Sequence, residues 1–341
     1  MAGLPASFFP AALPVGQRLG LGGAPLGNLF SALSDAGADS VIAAAWASGC
    51  RSYDTAPHYG NGLSEHRIGR ALRAHPDAFV STKVGRLLWP DAAAPAEQYG
   101  YVDVLPFVQR WDYSRAGTRR SIEDSLQRMG RARIDVAYVH DLDAATHGER
   151  AAQVLRQVLD ETLPELRQLQ REGRVGAIGL GVNEVQVVLN VLQEADLDVL
   201  MLAGRYSLLD HSALPRLLPE CQRRGVRIAL GGVFNSGILA TGVRGDAPPR
   251  FNYAPATPDW LSRTAAIERW CKDFGVPLRA AALQFPLAHP AVDIVMVGAR
   301  SVDEWDDAVA MMEWSISEAF WVSLRDAGLL PTQAPTPGGR G

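Results

Sequence analysis

The feature that most constrains this chain is an alternation repeated along nearly its whole length. Short apolar runs predict strands at Ser52–Thr55, Phe79–Val84, Ile134–His140, Val175–Val182, Asp198–Leu202, Val226–Val233 and Ile294–Val297, with one more near Leu19–Gly22. Most are continuously apolar, the pattern of parallel strands covered on both faces. Amphipathic stretches between them predict helices over Ser64–Arg73, Arg119–Met129, Ala151–Arg171, Glu184–Gln193, Leu214–Arg224 and Leu261–Phe274. Four of these stop at or just before a glycine (Gly130, Gly173, Gly225, Gly275), the residue that most easily takes the left-handed turn ending a helix. A further helix is expected from Ser301, where Ser301 and Glu304 have the spacing of a capping box. Eight strands, each followed by a helix or helix-like stretch, favour an α/β fold of the (β/α)8 barrel type, with a doubly wound open sheet as the rival.

Composition narrows the rest. The 341 residues are 47% apolar and 21% charged, the balance of a globular protein with a large core. One domain over 1–330 is expected, followed by a disordered tail at 331–341 (PTQAPTPGGRG). The net charge of −4 argues against non-specific binding to nucleic acid or to an anionic membrane. No apolar run approaches the roughly 18 residues of a membrane-spanning helix. The N-terminus has no basic residue before Arg18 and is broken by Pro5, Pro10 and Pro14, unlike a secretory signal. Cys50, Cys221 and Cys271 form no CxxC pair and suggest no disulfide framework, so a reducing cytoplasm is expected. A monomer or weak homo-oligomer is expected.

Two segments break the repeat. Arg86–Ser114 is long and carries Trp89, Tyr99, Tyr101, Phe107, Trp111 and Tyr113. Leu239–Trp260 carries Arg244, Arg250, Phe251 and Tyr253. Both follow strands, so in a barrel both lie at the C-terminal face, where active sites are built. Their length and aromatic content predict ordered covers over a site.

Common catalytic signatures are missing. Gly20-Leu-Gly22 and Gly179-Leu-Gly181 do not complete G-x-G-x-x-G, because position 25 is Pro and position 184 is Glu. There is no Walker A loop, no HExxH and no GxSxG, and the seven histidines show no metal spacing.

What remains is a group of polar residues at predicted strand ends: Asp54, Lys83 and His140, with Tyr59 in the turn after Asp54. Singly, Asp54 could cap a turn, Tyr59 could pack, and His140 could be an ordinary strand-end histidine. Lys83 is harder to explain away. Lys and Arg total 33, yet only Lys83 and Lys272 are lysine, and Lys83 lies in an apolar strand. A buried lysine needs a partner, and Asp54 is the natural one. Together the four suit proton transfer at an alcohol or carbonyl oxygen. A tyrosine hydroxyl ordinarily titrates near 10, too high for work at neutral pH, and a neighbouring ammonium favours its phenolate. Asp54 would hold Lys83, and His140 would orient the reacting oxygen while hydride moves at the attached carbon, which requires a cofactor.

The stretch YDTAPHYGNGLSEHRIGRAL, which holds Asp54 and Tyr59, resembles the first signature region of the aldo-keto reductases. Lys83 and His140 fall where that family places the rest of its tetrad. The resemblance runs from about Leu19 to Met312. It implies a (β/α)8 barrel, a nicotinamide cofactor held without a Rossmann domain, and no metal. Within the family, GLGGAPLGNLF, AGRYSLLD at 203–210 and GGVFNSGILATG at 231–242 look like the aldose 1-dehydrogenase branch. By that resemblance Tyr206 would stack on the nicotinamide and Asn183 would hold its carboxamide. Phe234, Asn235, Ser236, Gly237 and Leu239 would wrap the pyrophosphate, with Gly23, Asp54 and Gly298 also at the cofactor. The glutamine that often stands three residues before the stacking tyrosine is Ala203 here.

Arg300 and Ser301 sit where relatives bind an adenosine 2′-phosphate, at a predicted helix start. A second basic residue common in NADP-preferring members aligns with Asp306, next to Asp307, and Asp303 and Glu304 add negative charge. Like charge opposes a phosphate, so NAD is expected over NADP. The implied reaction oxidises the anomeric C1 hydroxyl of an aldose of the L-fucose or D-threo type to its lactone. His58, Trp89, Trp111, Arg244 and Tyr253, with His140, would contact the sugar. Alternatives are a pyridoxal 4-dehydrogenase, a general NADPH carbonyl reductase and, from another class, a cofactor-sensing regulatory subunit.

Overall fold

The computed structural model describes residues 18–244 and 248–338. Its principal strands are β1 (Leu19–Gly22), β2 (Ser52–Asp54), β3 (Phe79–Val84), β4 (Ile134–His140), β5 (Val175–Val182), β6 (Val199–Ala203), β7 (Arg227–Gly231) and β8 (Val292–Val297). They neighbour one another in chain order, β8 returning to β1, as a closed barrel. The expected (β/α)8 architecture is the observed one, and the open sheet is excluded. The register sets Asp54 beside Ser81, and Lys83 beside Tyr138.

The expected helices appear over Leu63–Ala71, Arg115–Met129, Val185–Glu194, Leu217–Arg224, Pro258–Asp273 and Val302–Glu313. The predicted helix Ala151–Arg171 is interrupted by a π turn at Val158–Thr162. Among the described residues, three helices of seven residues or more escaped the sequence reading: Asp35–Ala47, Leu278–Gln284 and Glu318–Asp326. The first two are alanine-rich (DAGADSVIAAAWA and LRAAALQ), so they lack the apolar–polar contrast that reveals a helix. Ser34 nonetheless caps the first, its Oγ accepting from Gly37 N at 3.1 Å.

The long segment after β3 is a hairpin, Arg86–Pro90 pairing antiparallel with Phe107–Trp111. The segment after β7 holds a smaller one, Arg250–Phe251 with Ala254–Pro255.

The chain divides into two compact units, one made of 20–201 with 298–306. There the helices Leu63–Ala71 and Arg115–Met129 touch backbone to backbone at Gly69, where a Cβ would lie 2.4 Å from Met129 Cα. Beside that crossing, fully buried Glu65 accepts from Thr82 Oγ1 at 2.7 Å and from Arg128 Nε at 2.5 Å. Thr82 therefore points toward the helices. By the two-residue period of a strand, Ser81 and Lys83 point to the opposite side.

The described part of the other unit is 18–19, 202–244, 248–297 and 307–338. Phe285, Phe320 and Trp321 form its aromatic core. The expected tail disorder needs correcting. Within 331–338 Ala334 is buried, and Arg325 donates to Ala334 O at 3.2 Å and to Thr336 Oγ1 at 3.1 Å. An arginine satisfies the tail's backbone, which composition alone does not reveal. The rest of that tail, 339–341, and the N-terminal prolines lie outside the described residues. Among the described residues no helix is long and apolar enough to cross a membrane.

The Gly69 contact pits two effects against each other. Alanine there gains about 1 kcal/mol of helix propensity. Forcing a methyl into a closed backbone contact costs roughly 1–3 kcal/mol. Packing wins, so Gly69→Ala is expected to lower the midpoint of thermal unfolding followed by circular dichroism.

Candidate active site

The site is assembled in the unit of 20–201 with 298–306. Asp54 ends β2, and Lys83 lies one residue before the end of β3, on the face opposite Thr82. Lys83 Nζ donates to Asp54 Oδ2 at 2.7 Å and to Thr55 O at 2.8 Å. Ser81 Oγ donates to Asp54 Oδ1 at 2.7 Å. The side chains of Lys83 and Asp54 are only 2% and 4% exposed. Burial pushes the Asp54 carboxyl up, while the Lys83 ammonium and the Ser81 hydroxyl pull it back. Breaking such a buried pair by removing one partner costs about 3–5 kcal/mol.

Tyr59 reaches this pair from a tightly built turn. Its amide donates to Ala56 O at 3.0 Å, and its carbonyl accepts from Ser64 N at 3.2 Å. The turn abuts the loop after β1 so closely that a Cβ on Gly27 would sit 2.5 Å from Tyr59 C. The Lys83 ammonium lies 4.5 Å from the centroid of the Tyr59 ring, and Tyr101 stacks on that ring at 6.0 Å.

His140 ends β4 and stands edge-on to Tyr59, ring centroids 6.1 Å apart. Burial holds its imidazole well below the usual histidine range, so it is neutral near pH 7. His58 lies 5.8 Å from His140, and its Nδ1 contacts Gln109 Oε1 at 2.9 Å. Burial, then the Arg86 charge, pull His58 down to about 4. The four residues singled out from sequence thus converge, with His58 beside them.

Three neighbours were missed in the sequence. Arg86, at the base of the hairpin, donates to Asp141 Oδ2 at 2.6 Å and to Gln109 Oε1 at 3.0 Å. Its guanidinium lies 3.7 Å over the Trp111 ring. Asp141 directly follows His140, and its Oδ1 is 3.6 Å from His140 Nε2. Burial opposes ionisation of Asp141, yet its contacts with His140 and with the Arg86 guanidinium bring it down to about 2. Position offered a signal, since Asp141 adjoins a strand-end histidine and Arg86 follows β3. Gln109 gave none.

The other candidates divide. Trp111 flanks the site, but Trp89 does not. Pairing on the hairpin strand puts Trp89 on the face opposite Arg86. It packs against Arg110 and Arg120 at 4.7 Å and 4.6 Å. Gly23 and Gly298 are closed contacts, where a Cβ would lie 2.5 Å from Ser64 Oγ and 2.6 Å from Pro25 Cγ. Asn183 stands half-buried just past β5. Ser301 caps the helix Val302–Glu313, its Oγ accepting from Glu304 N at 3.1 Å. The Glu304 carboxylate accepts from Arg300 N at 2.8 Å.

In the other unit Tyr206 departs from expectation. It is 1% exposed, packed against Phe285 and His289 at 5.4 Å and 5.7 Å, so its ring is a core element with no face open for stacking. Leu239 departs too, being fully buried with its amide donated to Phe234 O at 3.1 Å. The Phe234–Leu239 turn already uses the Asn235 and Gly237 amides, donated to Gly232 O at 2.9 Å and to Phe234 O at 3.0 Å, so the Ser236 hydroxyl is the group it can offer a phosphate. Asn235, Ser236 and Gly237 all have left-handed φ (46°, 60° and 101°), and the space beside Gly237 is open where a Cβ would stand. Asn235 is pinned by Ser207 Oγ at 2.5 Å and donates to Gly204 O at 3.2 Å. Ser236 Oγ accepts from Tyr253 N at 2.8 Å, leaving its hydroxyl proton to donate. Tyr253 is 62% exposed and belongs to this turn, while Arg244 is exposed.

Comparison with known proteins identifies the family of the chain. The aldo/keto reductase family profile matches residues 18–328. The chain is 43% identical over 326 residues to pyridoxal 4-dehydrogenase of Microbacterium luteolum, covering 92% of this chain and 94% of that protein. It is 38% identical over 335 residues to D-threo-aldose 1-dehydrogenase of a Pseudomonas species, covering 95% and 98%. L-galactose dehydrogenase of Arabidopsis thaliana is 30% identical over 302 residues, covering 86% and 83%. Among solved structures, a glycerol dehydrogenase from Gluconobacter oxydans superposes with a TM-score of 0.72 at 23% identity, covering 95% and 94%, a likeness of fold. A barrel that gathers Asp54, Tyr59, Lys83 and His140, matched over nearly its full length, belongs to the aldo/keto reductase family of nicotinamide-dependent oxidoreductases.

Proposed function

We propose that this protein oxidises the anomeric C1 hydroxyl of an aldose, of the L-fucose or D-threo type, to the lactone, with NAD preferred over NADP. The observation that carries the chemistry is the Lys83 ammonium, clamped by Asp54 and held 4.5 Å over the Tyr59 ring. The relative named D-threo-aldose 1-dehydrogenase supports the substrate class.

The roles follow from the geometry. Asp54 pairs with Lys83 and fixes it in a dry setting. Lys83 favours Tyr59 as phenolate, and Tyr59 removes the proton from the C1 hydroxyl. Neutral His140 donates one hydrogen bond to the reacting oxygen and fixes its direction. A bound nicotinamide supplies the hydride acceptor, so C1 loses two electrons and becomes the lactone carbonyl. His58, Gln109, Arg86 and Asp141 offer hydrogen-bonding partners for sugar hydroxyls, and Trp111 offers an apolar face.

Pyridoxal is the second reading, favoured by the relative named pyridoxal 4-dehydrogenase and by the aromatic wall of His58, Tyr99 and Trp111. Its cyclic hemiacetal would be oxidised by the same steps. L-fucose, D-arabinose, L-galactose and pyridoxal, each followed by NADH absorbance, separate the two readings. A cytoplasmic setting is part of the proposal, in keeping with buried free thiols at Cys50, Cys221 and Cys271.

Glu304 supports the NAD preference. Its carboxylate already occupies the Arg300 amide at the start of the helix Val302–Glu313, where a 2′-phosphate would need to lie.

Tyr59→Phe is expected to lower kcat by about 10²–10⁴ while cofactor Kd, measured by fluorescence titration, stays unchanged. A near-normal kcat would defeat the mechanism. Asp54→Asn with Lys83→Met removes both buried charges together. Without the ammonium, the rising limb of kcat against pH should move to higher pH. Steady-state kinetics with both cofactors should give the larger kcat/KM with NAD. Glu304→Ser should then raise kcat/KM for NADP about fivefold, corresponding to roughly 1 kcal/mol at a helix N-terminus.

A further inference from the structure

The chain leaves β4 through an unusual turn. Asp141, directly after His140, has φ +48°, a left-handed conformation that residues bearing a Cβ avoid. Two side chains grip this turn. Tyr113, just beyond the hairpin, places its hydroxyl 2.9 Å from His140 O and 3.1 Å from Asp141 O. His147, ending the short helix Ala144–His147, places Nε2 2.8 Å from Asp141 O and 3.0 Å from the Tyr113 hydroxyl.

Proton counting fixes the direction of each bond. A carbonyl oxygen only accepts, so His147 Nε2 carries a proton, shared between Asp141 O and the Tyr113 oxygen. That leaves the Tyr113 proton for the two carbonyls it faces, His140 O and Asp141 O. Burial, then the Asp141 charge, push the Tyr113 hydroxyl well above its usual range, so it keeps that proton.

Tyr113 is itself locked in place. Thr162 Oγ1, in the π turn, donates to Tyr113 O at 2.5 Å. Trp111 stacks on the Tyr113 ring at 5.8 Å and 15°. Gly85, at φ +112°, meets the ring so closely that a Cβ would lie 2.4 Å from Tyr113 Cε1. Tyr113 is buried behind the site and its hydroxyl is turned to the backbone of the turn.

We propose that Tyr113 and His147 are positioning residues that hold the His140–Asp141 peptide in its left-handed turn, and so aim the His140 imidazole and the Asp141 carboxylate toward the substrate. The inference rests on His140 orienting the reacting oxygen. Without the grip Asp141 relaxes toward an ordinary backbone conformation and carries His140 with it.

The test is steady-state kinetics of Tyr113→Phe, His147→Ala, His147→Gln and His140→Ala, using whichever substrate and direction the wild type turns over best. Tyr113→Phe and His147→Ala are each expected to lower kcat roughly 10- to 100-fold, the scale of an angstrom-sized misplacement. Cofactor Kd should stay unchanged. His147→Gln, which keeps a donor near Asp141 O, should recover most of the loss seen in His147→Ala. If Tyr113→Phe fails to fold, the His147 pair decides by the same criterion. Wild-type kcat in His147→Ala, or equal losses in His147→Ala and His147→Gln, overturns the inference. A wild-type kcat in His140→Ala overturns the site assignment beneath it as well.

Discussion

Everything at the centre of this protein depends on one buried ion pair. Lys83 and Asp54 are withdrawn from water, a costly state for either charge alone. It is tolerated because each meets the other at 2.7 Å and each has a further partner, Thr55 O for the ammonium and Ser81 Oγ for the carboxylate. The pair is therefore satisfied and rigid before any substrate arrives. A lysine suits the place because its charge is compact, whereas an arginine fork would need more room and more acceptors. The barrel makes the arrangement possible. Register puts β2 and β3 side by side, and the strand period turns Lys83 and Ser81 away from the helices, toward Asp54.

Around that pair the site is layered by charge. Tyr59 sits over the ammonium, and His140 and His58 are kept neutral by burial, with Arg86 reinforcing the effect. Asp141 is held ionised, and Arg86 grips it. Neutral imidazoles beside Tyr59 can orient an oxygen without taking its proton, which on the proposed function separates the orienting role from the acid–base role.

Much of this was legible in the sequence, for identifiable reasons. The strands were visible because continuous apolar runs fit few other settings, and Lys83 stood out because the chain otherwise uses arginine. Helices built from alanine were invisible, since a helix without contrast between its faces leaves no periodic trace. The hairpin could be foreseen as an ordered cover but not as paired strands, because Arg86, Leu87 and Leu88 show no clear alternation. Trp89 and Trp111 looked equivalent in one dimension, and only their faces on the hairpin distinguish them. Tyr206 shows the opposite limit. Its motif resembled the branch, with Ala203 in place of the usual glutamine, yet neighbours about 80 residues away, Phe285 and His289, decide that its ring is enclosed.

The hairpin of Arg86–Pro90 and Phe107–Trp111 pairs with itself and adds no rung to the barrel ladder. It nevertheless contributes Arg86, Gln109 and Trp111 to the mouth. On the proposed function, the residues that move the proton and those that select the molecule are thus carried by separate pieces of backbone. Evolution can redraw the second without disturbing the first, which gives a physical route by which one scaffold comes to serve sugars in one lineage and a pyridine aldehyde in another.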